Sequence, residues 1–71
     1  MRLSLPLFVD ARYNAEQDVE FDAREVESVE ESTRSRLFAG TFPVTLVRLS
    51  GGREYLLGGH FRAQIEAGRV E

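Results

Sequence analysis

The chain has 71 residues, no cysteine, one histidine and a formal charge of −3. That length gives a single small domain over residues 1–71 with a thin core, and the composition excludes disulfides, cysteine-based zinc sites and a histidine-rich metal site. No stretch reaches the ~20 apolar residues that cross a bilayer, so a soluble, cytoplasmic chain with no membrane insertion is expected.

All nine basic residues are arginine. Charge divides along the chain. Residues 10–31 carry nine acids against Arg12 and Arg24, whereas residues 32–71 carry six arginines against Glu54, Glu66 and Glu71. The two parts attract each other if they pair in a sheet.

Leu3, Leu5, Leu7 and Val9 alternate with Ser4, Pro6 and Phe8, the period of a strand with one apolar face. The apolar run is too short and too interrupted for a signal peptide. Pro6 has no N–H to give a ladder, so either this strand is an edge or residue 6 turns its nitrogen away from its neighbour. Residues 10–18 read as a polar connection. Val19 and Phe21 resume the alternation, and Asp22 is placed to cap a single helical turn at residues 22–25. Val26 and Val29 then fit a strand better than a helix, because acids at 25, 27, 30 and 31 would crowd a helix C-terminus.

Residues 31–41 are rich in Ser, Thr and Gly and are expected to form a loop that carries two apolar residues, Leu37 and Phe38. Residues 42–49 and 53–57 are two β-rich runs around Ser50-Gly51-Gly52, the pattern of a hairpin over 44–57. Both faces of Val44–Leu49 are largely apolar, which predicts a central strand or a contact surface. Gly58-Gly59 breaks the second run. Residues 60–67 then suit a short helix, with Phe61 and Ile65 on one face and Gly68 as its stop. The expected fold is mainly β (small α+β), an antiparallel sheet of about four to five strands closed by a helix too short to stand alone.

No catalytic constellation is present. His60 has no Ser–acid spacing around it and reads as a helix-start residue. Asp18, Glu20 and Asp22 share a strand face and read as a solvated acidic face rather than a cation site, so no metal or cofactor is expected. Ser50-Gly51-Gly52-Arg53 joins two strands and lacks a lysine, which separates it from a phosphate loop.

Three stretches resemble the FlbD-type small flagellar proteins. They are Phe21-Asp22-Ala23-Arg24-Glu25-Val26-Glu27-Ser28-Val29-Glu30-Glu31, then Thr45-Leu46-Val47-Arg48-Leu49-Ser50-Gly51-Gly52-Arg53-Glu54-Tyr55, then Phe61 to Ile65. The family's Asn-Pro is Asp22-Ala23 here, its charged helix lead-in is Gly58-Gly59-His60, and the N-terminal strand and residues 31–43 are longer. The resemblance implies a non-enzymatic accessory protein tied to motility. The first half of LytTR-type DNA-binding domains is similar too.

The expected function is a non-catalytic module that binds another protein or itself as a homo-oligomer. Leu37, Phe38, Phe42, Val44, Leu46 and Tyr55 are its contact residues, being more apolar surface than a thin core needs. The alternative is a nucleic-acid-binding regulatory domain using Arg34, Arg36, Arg48, Arg53, Arg62 and Arg69. The acidic balance of the whole chain argues against it.

Overall fold

The computed structural model describes residues 1–10, 15–36 and 40–70. Five strands run in chain order: β1 (Arg2–Asp10), β2 (Ala15–Asp22), β3 (Val26–Arg36), β4 (Gly40–Leu49) and β5 (Glu54–Leu57). A 3-10 turn (Ala23–Glu25) links β2 to β3, and one helix, α1 (Arg62–Arg69), follows β5. The strands form one antiparallel sheet in the order β2-β1-β5-β4-β3. The mainly β fold with one closing helix is as the alternation predicts.

Strand alternation sorts the side chains. Leu3, Leu5, Phe21, Val29, Val47, Leu49 and Leu57 are buried on the face that also meets Ile65 of α1. Ala23 and Val26, around the 3-10 turn, complete this core, and Val19, Tyr55 and Phe61 pack against it. The ring of Phe21 stacks with Tyr55 at 6.2 Å, although β1 lies between their strands. Phe8 and Phe42 meet at 5.1 Å across the interval that β5 occupies. The sheet is therefore coiled rather than flat, as the right-handed twist of strands favours.

The 44–57 hairpin is present. Thr45, Leu46, Val47 and Arg48 pair with Leu57, Leu56, Tyr55 and Glu54. Gly51 and Gly52 have φ of 87° and 88°, the left-handed region that favours glycine. The Leu49 N–H donates to the Arg53 carbonyl at 2.8 Å and closes the turn. The cap at Asp22 also forms, its carboxylate accepting the Arg24 N–H at 2.9 Å. The Arg24 guanidinium binds the same carboxylate at 3.2 Å. That side-chain bond, helped by the backbone one, holds the Asp22 carboxyl well below the usual carboxylate range.

Several expectations are corrected. Residues 31–41 are mostly not a loop: β3 runs to Arg36, β4 starts at Gly40, and Glu31↔Thr45 to Arg36↔Gly40 are in register. A strand at the border of a sheet can leave one face and one edge in water, so Ser32, Thr33 and Ser35 need no apolar alternation. The connection at 10–18 is shorter than expected, because β2 begins at Ala15 and Asp18 pairs with Pro6. β1 is not an edge, since it lies between β2 and β5. The second reading of Pro6 holds instead. Its carbonyl accepts the Gly58 N–H at 3.0 Å, and the N and C=O of a strand residue point the same way, so its nitrogen turns from β2.

The helix spans 62–69 rather than 60–67. Gly59 and His60 stay outside because Thr45 holds the chain there: its hydroxyl donates to the Gly59 carbonyl at 2.7 Å and accepts the Phe61 N–H at 3.0 Å. Gly68 is inside the helix and buried. A Cβ at that position would sit 2.9 Å from the Cβ of Ala23. It is a packing glycine, letting α1 lie close on the 3-10 turn, and not a stop.

Candidate interaction surface

β4 divides its side chains by parity. Thr45, Val47 and Leu49 are fully buried on the helix side. Phe42, Val44, Leu46 and Arg48 face the other way. Cross-strand pairing adds Leu56, opposite Leu46, and the ring contact adds Phe8. Val44 is only 1% exposed at the centre of this group. Phe8, Phe42, Leu46 and Leu56 are half-buried around it. The helix packs on β1, β3 and the 3-10 turn by its core face, on the other side of the sheet from Leu46 and Leu56.

The border of this patch is polar. Ser28, Glu30, Leu46, Arg48 and Glu54 line a shallow depression of about 60 Å³. Small-molecule sites are usually ~300–1,000 Å³, so this one is too small to enclose an organic substrate. Arg48 crosses it to Glu54 at 2.9 Å.

The expected contact residues separate. Phe42, Val44 and Leu46 share the face turned away from α1. Tyr55 does not join them: Val47 is its partner in the ladder and Phe21 its stacking neighbour, so it lies against the core. Leu37 and Phe38 lie outside the described residues. Phe8 and Leu56 also belong to the patch, beyond the residues expected from the sequence. Their signal was available: Phe8 breaks the polar side of the β1 alternation, and in Leu56-Leu57 one of two successive strand residues must face away from the core.

The arginines are dispersed. Arg34 is on the far half of β3, Arg53 in the β4–β5 turn and Arg62 at the start of α1. Arg48 and Arg69 have acid partners, Glu54 at 2.9 Å and Glu66 at 3.2 Å. Arg36 ends β3. Arg34, Arg48, Arg53, Arg62 and Arg69 are not collected on a single face.

His60 also has a local role. Its Nδ1 stands 3.4 Å from Glu31 Oε2, and the same oxygen accepts the Arg62 N–H at 3.4 Å. Glu31, on β3, thus accepts one of the open N–H groups at the start of α1. Among the described residues no three His, Asp or Glu side chains are grouped to hold a metal ion, and no helix is long and apolar enough to cross a membrane.

Compared with known protein families, curated proteins and solved structures, the chain matches none.

Proposed function

We propose that this chain is a non-catalytic interaction module whose contact surface is the β4 face turned away from the helix. One observation carries the reading. Phe8, Phe42, Leu46 and Leu56 gather as half-buried apolar side chains on the sheet face opposite α1, next to a depression too small for a substrate. Apolar groups gathered on one face gain ~25 cal/mol for each Å² removed from water, and contiguous apolar surface of this kind marks contact sites. The partner is an apolar protein surface, a second copy of the chain included.

The accessory role in motility implied by the FlbD-type resemblance belongs to the same proposal. Its test is the loss of swimming in a strain lacking the chain. The nucleic-acid alternative has less behind it, because its arginines are spread over β3, β4, the turn and the helix and two of them are neutralised.

Light scattering over a concentration series tests the self-associating form. A mass that rises with concentration, and rises less after Leu46→Thr, supports it. A strict monomer at ~1 mM, where an association of only ~4 kcal/mol is half-formed, contradicts it.

A further inference from the structure

The two borders of the sheet are β2 and β3. A border strand leaves half of its backbone N–H and C=O groups unpaired and is a template for another strand. β2 and β3 differ in how they meet a copy of themselves.

Two identical strands placed side by side and antiparallel are related by a two-fold axis normal to the sheet. That axis keeps side chains on their own face, so even positions oppose even positions and odd oppose odd. On β2, positions 18, 20 and 22 are Asp, Glu and Asp. Any such register sets acid against acid, and like charges directly opposite are unfavourable. The β2 border therefore repels its own copy.

β3 has 11 residues, no proline and no glycine. Its first half carries Glu27, Glu30 and Glu31, and its second half carries Arg34 and Arg36. Registers centred on residue 30 or 31 oppose a glutamate to itself. The register centred on Ser32 opposes Glu30 to Arg34 twice, once on each side of the axis, and joins residues 28–36 in one ladder. Centring on Thr33 shortens that ladder to 30–36. Glu30 and Arg34 are both exposed, and neither has an ionic partner among the described residues.

We propose that two copies of this chain pair along β3, antiparallel about a two-fold axis at Ser32, with Glu30 of each copy opposite Arg34 of the other. The pairing extends the sheet across both copies and sets their β4 faces side by side. It goes beyond the reading of the β4 face, because it uses the strand edge and leaves that face open.

The experiment uses charge reversal on the full chain, read by sedimentation velocity at low salt. Glu30→Arg alone places arginine opposite arginine at both crossings, and Arg34→Glu alone places acid opposite acid. Each variant weakens edge association by about tenfold or more. An equal mixture of the two restores it, since every crossing in the mixed pair is Arg–Glu. The chain has no cysteine, so Ser32→Cys adds a lone thiol on the axis. A mild oxidant joins it to its copy as a disulfide, and joins Thr33→Cys far less.

Both single variants associating as the parent does, with no recovery on mixing beyond the parent and no Ser32→Cys cross-link, overturns the edge pairing. Association lost after Leu46→Thr in that case leaves the β4-face reading standing. Preferential linking of Thr33→Cys overturns the Ser32 register.

Discussion

The Thr45 hydroxyl, fully buried on β4, donates to the carbonyl of Gly59 at 2.7 Å. It also accepts the Phe61 N–H at 3.0 Å. One side chain thus satisfies two backbone groups of the segment that swings α1 back onto the sheet. Thr45→Val keeps the shape and β-propensity but leaves both groups without that partner, at a cost of ~1–3 kcal/mol. Urea unfolding followed by far-UV circular dichroism measures it. A valine variant as stable as the parent would mean that α1 is held by its apolar face alone.

Asp22 predicts an acid limb of stability. Its carboxyl is held low chiefly by the side-chain bond from Arg24. A group depressed in the folded state stabilises fully above its unfolded value of about 3.9 and loses that contribution as pH falls through its folded value. Stability should therefore decline below about pH 4, and the decline should be shallower in Asp22→Asn. Thermal midpoints of parent and variant between neutral and acid pH check this. Parallel curves contradict it.

Gly68 separates packing from propensity. In an open helix, glycine to alanine stabilises by about 1 kcal/mol. Here the added Cβ would meet the Cβ of Ala23 at 2.9 Å. Gly68→Ala should instead destabilise, by roughly 1–3 kcal/mol as for an overpacked core. A stabilised variant would show that α1 does not sit close on the 3-10 turn.

The dispersion of the arginines predicts weak, non-selective contact with nucleic acid. In a titration at physiological salt, DNA and RNA should bind no more tightly than the ~10⁻⁴–10⁻⁶ M of purely electrostatic contact. Tight binding that Arg48→Ala or Arg53→Ala weakens would favour the regulatory-domain reading instead.

The sequence made some features plain because a local rule demanded them. Gly51 and Gly52 sit at positive φ, so the hairpin turn announced itself. Asp22 capped its turn for the same kind of reason. The second half of β3 was not legible, because Ser32, Thr33 and Ser35 border water and alternate with nothing apolar. Tertiary pairing with β4 decides their conformation, and no local pattern records that pairing. Gly68 looked like a stop because its neighbour in space, Ala23, is far away in sequence. The β4 face opposite the helix was legible in part. Phe42, Val44 and Leu46 share one parity, but Tyr55 could be told from them only by the register that pairs it with Val47.

The most direct test of the central claim compares the parent with a Leu46→Thr/Leu56→Thr variant by light scattering up to ~1 mM. Threonine keeps strand propensity while removing apolar surface from the β4 face. The parent should gain mass with concentration, and the variant should keep the same circular dichroism spectrum while associating about tenfold more weakly or less, a loss of ~1.4 kcal/mol. A parent that stays monomeric throughout, or a folded variant that assembles as the parent does, would contradict the assignment of that face.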